Sequence, residues 1–285
     1  MNNISIGRYV PYNSKIHKLD PRLKLFAMIL FMVEIFIRFD VGNAYMDFIM
    51  YGIIGIIVLI LMLISHIKIS SLFKQLKSLW FMVLLLFIFN LFLVKEGDFF
   101  LIFNSVKIYY KAIFDTLYIF IRLLLMLALT MILTATTTPL DLTYAIEWYL
   151  TPLKVIKVPA HEIAMTISIA LRFIPTLLDE TDRIMKAQAS RGVDFENGKF
   201  KEKIRAIVSL IVPLLVSAFQ RSEDLANAME ARGYNPGAKR TRYRILKWKI
   251  GDTLALVLSL LFFAGVLYIS IAKIDFVAMF ISFFN

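Results

Sequence analysis

Apolar residues gather into blocks at roughly 23–39, 45–64, 79–94, 112–135 and 252–272, each bounded by polar or charged positions. A helix rises 1.5 Å per residue, so about 20 apolar residues cross a hydrocarbon layer about 30 Å thick. The five blocks therefore predict five membrane-spanning helices, the first and third on the short side. Each of the first four carries a polar residue, Glu34, Asp47, Asn90 or Arg122 in turn, and such residues are expected to face other helices rather than lipid. A further stretch, Ala206–Phe219, is 14 residues long with charged residues at both ends. It is too short to span and reads as a buried or interfacial helix. The C-terminal Phe276–Phe284 is also too short, and is expected at the outer interface.

Between the fourth and fifth blocks the period changes. Thr136-Thr137-Thr138-Pro139-Leu140-Asp141 puts hydroxyls and a proline where a helix starts, predicting a short helix through Leu150 that Pro152 stops. From about Ala160 to Ser190, Ile163, Ile167, Leu171, Ile174, Leu178 and Met185 recur at helical spacing among charged residues. That is an amphipathic helix of about 30 residues, with Pro175 inside it and expected to kink it. A second runs from about Lys199 to Ala231 on the stripe Ile204, Val208, Ile211, Leu215, Phe219 and Leu225, with Pro213 as its kink. The fold class expected is all-α, with a four-span membrane domain over 1–138, a polar helical domain over 139–250, and a last span with its tail over 251–285.

Charge then orients the chain. Placing the N-terminus in the cytoplasm puts 26 Lys and Arg on the inner side, 18 of them between Pro139 and Ile250, against 5 on the outer side, with Arg122 left in the membrane. Positive charge collects on the cytoplasmic side, so the expectation is a multi-pass protein of the cell membrane with its N-terminus inside and C-terminus outside. Met1 to Leu25 lacks the basic head, apolar stretch and cleavage site of a signal peptide. The net charge of +11 sits in loops on one face and is mixed with carboxylates, which membrane orientation explains without a nucleic acid. The densest run, Lys239-Arg240-Thr241-Arg242-Tyr243-Arg244, precedes the last span and suits anionic headgroups.

Candidate chemistry is sparse. There is no cysteine, and the three histidines, His17, His66 and His161, lie far apart, so no metal site or Cys nucleophile is expected. Gly192-Val193-Asp194-Phe195-Glu196-Asn197-Gly198-Lys199-Phe200 resembles a phosphate loop only by chance: it has one residue too many between the glycines and Phe where Ser or Thr should hold magnesium. His161-Glu162 lacks the second histidine of a zinc helix. Asp179-Glu180-Thr181-Asp182 reads as the solvated face of its helix. The chain is expected to be no enzyme.

One pattern is duplicated. Thr181 to Ser190-Arg191-Gly192 repeats 41 positions later as Ser222 to Ala231-Arg232-Gly233, with hydroxyl, carboxylate, hydrophobe, small residue, Arg and Gly in register. Gly after a helix takes the left-handed C′ conformation without a Cβ penalty, and a cation suits the last turn. Each tip is thus a good helix end. Occurring twice, on two long helices, Arg191 and Arg232 also read as guanidinium ligands for acidic or carbonyl-lined grooves on a partner.

These tips, together with Gly7-Arg8-Tyr9-Val10-Pro11, His17-Lys18-Leu19-Asp20-Pro21-Arg22 and Leu171-Arg172-Phe173-Ile174-Pro175-Thr176-Leu177, resemble the T component (EcfT) of energy-coupling factor transporters over essentially the whole chain. The resemblance implies a pair of coupling helices whose Arg tips dock into two ABC-type ATPases. Ser190, Arg191, Gly192, Ala231, Arg232 and Gly233 would be the docking residues. ATP and Mg would be bound by those partners and no cofactor by this chain. The membrane helices would hold an exchangeable substrate-binding S component for a vitamin or other micronutrient. A T component dedicated to cobalt, nickel or biotin is the alternative. A self-contained secondary transporter is more remote, since it would need repeats within the spans. Ser190 stands where the family frequently has Ala.

Overall fold

The computed structural model describes residues 12, 14–37, 44–94, 99–103, 106–195, 197, 199–235 and 246–272. The basic run 239–244, Gly7–Pro11 and Phe276–Phe284 lie outside these residues. In chain order the elements are α1 (Pro21–Phe36), α2 (Ala44–Ile64), α3 (Ile69–Leu93), β1 (Phe99–Phe103), β2 (Val106–Tyr109), α4 (Tyr110–Thr136), α5 (Pro139–Leu150), a 3-10 turn (Thr151–Ile156), α6 (Ala160–Ser190), α7 (Phe200–Ala231) and α8 (Ile250–Ala272). Among the described residues the fold is all-α apart from one antiparallel hairpin, β1–β2, paired Phe99 to Tyr109 through Phe103 to Val106 with an irregularity between Phe99 and Leu101. The chain forms two compact units, one of Met1–Ala145 with Leu246–Asn285, the other Ile146–Ile245.

In the first unit α4 is the central helix, touching α1, α2 and α3. Its Leu125, Ala128, Leu129, Met131 and Ile132 join Ile35, Ile54, Val58, Met62 and Leu72 in one core. The remaining faces are apolar and exposed: Trp80, Phe81, Phe89 and Phe92 on α3 are all more than half accessible, as a lipid-facing or partner-facing surface requires. Among the described residues, five helices are long and apolar enough to cross a membrane: α2, α3, α4, α6 and α8. The last four spans expected from hydropathy fall on α2, α3, α4 and α8. The expected first span is α1, only 16 residues or about 24 Å. The fifth helix to qualify is instead α6, whose charges crowd into its C-terminal half and leave an apolar beginning. α3 starts at Ile69, some ten residues before the expected 79, because Ser70, Ser71, Lys74 and Lys77 tolerate a helix even though they lower hydropathy.

The polar residues expected to face other helices do so in three cases. Asn90 Nδ2 donates to Thr116 Oγ1 at 3.0 Å, linking α3 to α4. Arg122 donates to the hydroxyls of Tyr51 (3.2 Å) and Tyr118 (3.4 Å) and stacks 5.0 Å over the rings of Phe36 and Tyr118. Tyr51 also donates to Ile35 O and shares a 2.7 Å hydrogen bond with Tyr118 Oη. Glu34 is buried.

Helix ends fix how the elements run. Asp20 caps α1, accepting from Arg22 N at 2.9 Å, ahead of Pro21 at the first helical position. Its own N–H goes to Asp252 Oδ1 at 2.8 Å, while Asp252 Oδ2 takes Lys249 N at 2.7 Å at the start of α8. One buried carboxylate thus ties the starts of α1 and α8 together. Lys24 Nζ donates to Thr136 O at 2.8 Å, filling a last-turn carbonyl of α4 with a cation. The beginnings of α1 and α8 and the end of α4 therefore share one face of this unit. Thr138 caps α5 and exchanges hydrogen bonds with Asp141.

Candidate functional site

The second unit is built on α6 and α7. Both carry their expected prolines, Pro175 and Pro213, inside a continuous helix. A proline at i removes the N–H that would bond the carbonyl of i−4. For Pro213 that carbonyl is Ser209 O, and Gln188 Nε2 of α6 reaches it at 3.4 Å. The gap in one helix is filled by a side chain of the other.

Four positions further along α7, Ser217 Oγ donates to Glu180 Oε1, and Arg221 Nη2 donates to Glu180 Oε2 at 2.8 Å. The Arg221 guanidinium also lies 5.7 Å from the centre of the Phe173 ring. Glu180, which the sequence presents with its neighbours as solvated face, is instead the acceptor of a clasp between the helices. It is half-buried like Arg221, because the contact of α6 with α7 lies on that side of the helix. Partners descend along α7 as they ascend along α6, so the two helices cross in opposite senses. Their tips therefore point away from each other. Arg191 follows Glu180 and Arg232 follows Arg221 by 11 positions in each helix. At 1.5 Å per residue the tips lie about 33 Å apart measured along the helices.

The two tips have the same geometry. In the first, Ser190 ends α6, Arg191 sits at φ −88° and ψ 7°, and Gly192 at φ +87°. Gly192 N donates to Ala189 O at 2.9 Å and Val193 N to Gln188 O at 3.1 Å. In the second, Ala231 ends α7, Arg232 sits at φ −90° and ψ 9°, and Gly233 at φ +73°. Gly233 N donates to Glu230 O at 2.8 Å and Tyr234 N to Met229 O at 2.9 Å. Both are Schellman closures, and both need the left-handed φ that glycine adopts freely. The turn thus consumes the Gly but not the Arg. Both guanidinium groups are exposed, and among the described residues neither has a hydrogen bond or ion pair.

Residues 12–243 match the family model described as CbiQ, cobalt transport protein. The energy-coupling factor transporter transmembrane protein EcfT of Bacillus subtilis (strain 168) is 42% identical over 268 residues, 94% of this chain and 98% of that protein. Its counterpart in Listeria innocua is 39% identical with the same coverage, and that of Staphylococcus aureus 41% identical over 257 residues, 90% of this chain and 93% of the relative. The chain belongs to the EcfT family.

As an EcfT-family chain it presents more than tips. Along the apolar stripe of α7, Ile204, Val208, Ile211, Leu215 and Phe219 are exposed, Phe219 by 70%. The narrow polar clasp leaves that face uncovered, and an apolar surface of this extent marks an interaction site. At the other end of α6, His161 Nδ1 lies 3.0 Å from the buried carboxylate of Glu147, a contact across α5 and α6 that spacing did not disclose. Among the described residues no group of three His, Cys, Asp or Glu side chains is placed to hold a metal.

Proposed function

We propose that this EcfT-family chain is the transmembrane coupling subunit of an energy-coupling factor transporter. Arg191 and Arg232 each seat in one of two ABC-type ATPases, and Ser190, Gly192, Ala231 and Gly233 shape the two docking turns. ATP and Mg bind in those ATPases, and the chain itself catalyses nothing. The observation that carries this reading is the duplicated Schellman tip with an exposed, unpaired guanidinium. An Arg that only capped its helix would need no second copy in the same geometry, and a planar fork of five donors suits a groove of carboxylates and carbonyls.

The membrane domain over 1–138 and the last span over 251–285 hold an exchangeable substrate-binding S component, and the exposed stripe of α7 contributes to that contact. Pro175 and Pro213 kink the coupling helices of the 139–250 domain, so closure of the ATPases alters their crossing. α1 crosses the membrane between α4 and α8, both of which it touches. α6 stays at the cytoplasmic face, because Asp179, Glu180, Asp182, Arg183 and Lys186 cannot all enter hydrocarbon. The excess of cytoplasmic Lys and Arg supports an inner N-terminus and an outer C-terminus. The shared face of the starts of α1 and α8 supports it too, since two helices that begin together end together across the bilayer. The cargo we assign is a vitamin, captured by the S component.

The test replaces Arg191 or Arg232 by Glu. ATP-driven uptake should fall at least tenfold in each variant, the ATPases should no longer co-purify with the double variant, and membrane insertion should be unchanged. Normal uptake in both single variants would sink the proposal.

A further inference from the structure

The connection between α2 and α3 opens into a cavity of about 800 Å³ in the membrane unit, apart from the tips and from α7. Its lining contains Lys68, Lys74, His17 and His66 and, among the described residues, no carboxylate. A space of this size with one sign of charge on its walls is an anion site in electrostatic terms. Three further features aim it at a phosphate.

The first is the start of α3. Lys68 occupies the cap position and has no acceptor to offer, so no side chain caps the first turn of this 25-residue helix. Uncapped N–H groups at the positive end of a long helix are a standing anion receptor. The second is Ser65. It lines the same cavity, is 1% exposed, and among the described residues its hydroxyl has no partner; a buried hydroxyl without a partner is destabilising unless something else fills its valence. The third is the backbone between them. His66 sits at φ +56°, a left-handed position that glycine adopts more readily than any residue with a Cβ. Glycine would close α2 with less strain, yet an imidazole stands there, against the ring of Tyr12 at 5.8 Å.

The lining also has an apolar part, contributed by Leu79 of α3 and Leu127, Met131 and Ala135 of α4. A soluble anion gains nothing from such a wall, whereas a lipid places its acyl chains along it. We propose that this cavity binds the headgroup phosphate of an anionic phospholipid, held by Lys68, Lys74, the first turn of α3 and the Ser65 hydroxyl, with the acyl chains against α3 and α4. The site stands on the membrane unit alone and is independent of how the tips function.

Native mass spectrometry of the full-length chain, delipidated in detergent and titrated with phosphatidylglycerol or phosphatidylcholine, tests it. The wild type should retain one phosphatidylglycerol in preference to phosphatidylcholine. The K68Q/K74Q variant should bind it about tenfold more weakly, and S65A should weaken it severalfold. K77Q, on the same helix but outside the cavity lining, should bind as the wild type does. Equal loss in K77Q would reduce the effect to general surface charge and overturn the proposal, as would equal retention of phosphatidylcholine. Displacement of the lipid by millimolar inorganic phosphate, with phosphate binding in its absence, would assign the site to a soluble anion and overturn the lipid assignment.

Discussion

Glu180 and Arg221 stand just ahead of the two copies of the repeat, 41 positions apart, and meet each other at 2.8 Å, the one ion pair among the described polar contacts between α6 and α7. Its size can be worked out. A hydrogen bond to a charged group contributes about 1.5–3 kcal/mol before solvent screening; Glu180 accepts two, one from Arg221 and one from Ser217, and partial exposure brings the pair toward the low end. The two side chains are 24% and 29% exposed, which screens the pair less than a fully open one. Glu180→Ala should therefore cost the helix contact about 2 kcal/mol, a change of about 30-fold in the ratio of closed to open pairs. Arg221→Ala should cost about as much, and the double variant little more than either, giving a coupling energy near 1.5 kcal/mol. The exchange Glu180→Arg with Arg221→Glu should recover part of the loss. Because the chain has no native cysteine, spin labels on cysteines introduced at Ser190 and Ala231 report only the tips, and pulsed electron resonance in nanodiscs reads their separation. The wild type should give a narrow distribution near about 30 Å, either single variant a broad one, and the exchange a narrowed one. An unchanged distribution in both single variants would refute the clasp as the element that sets the crossing.

The filled gap beside Pro213 predicts that Gln188→Leu lowers thermal stability by about 1 kcal/mol. The same change in a Pro213→Ala background should cost less, because an alanine at that position supplies Ser209 O with a helical donor; equal losses in the two backgrounds would show that the carbonyl does not use Gln188. Gly192→Ala and Gly233→Ala should each cost about 1 kcal/mol from backbone strain alone, since nothing lies within 4 Å of an added Cβ at either site; a cost well above that, read by thermal unfolding, would mean the turns are packed rather than open. Asp252→Ala should destabilise the membrane unit by about 2–3 kcal/mol, with two N–H groups left wanting, while Asp252→Asn, which keeps one acceptor oxygen, should lose about half as much; a silent Asp252→Ala would remove the tie between α1 and α8.

Hydropathy disclosed α2, α4 and α8 to within two residues of their ends, because their polar boundaries coincide with the ends of the helices. It misjudged the start of α3, where serine and lysine dilute the apolar average but do not break a helix. It also gave no sign of the hairpin, although Phe99-Phe100-Leu101-Ile102-Phe103 and Val106-Lys107-Ile108-Tyr109 are β-prone runs separated by Asn104-Ser105. The tips were legible because the Gly that closes a helix and the Arg beside it are local features that repeat. Glu180 was not. A carboxylate among carboxylates reads as solvated until the opposite helix places Ser217 and Arg221 against it, and no periodicity within α6 carries that information. The repeat did contain it in another form, since Glu180 and Arg221 are 41 positions apart, the spacing of the two tips.

That spacing has a mechanical consequence. When two like helices cross in opposite senses and touch at equivalent positions, the point of contact lies on an approximate two-fold axis. Two identical residues there would repel if charged, whereas Glu in one copy and Arg in the other attract, so the duplicated unit pairs with its own second copy in a single register. Each tip then lies 11 positions beyond the axis, on arms of equal length about 16 Å long. If two ATPases seat the tips as proposed, and close on each other about a two-fold axis, they can share this one. Their approach would then press both tips at equal leverage, with the displacement concentrated at the crossing, where the Glu180–Arg221 clasp and the interrupted ladder at Pro213 lie. Unequal arms would rock the pair instead of changing its angle, so a turn of helix inserted before one tip should abolish uptake even with both Arg residues intact, whereas a turn inserted before both should restore part of it.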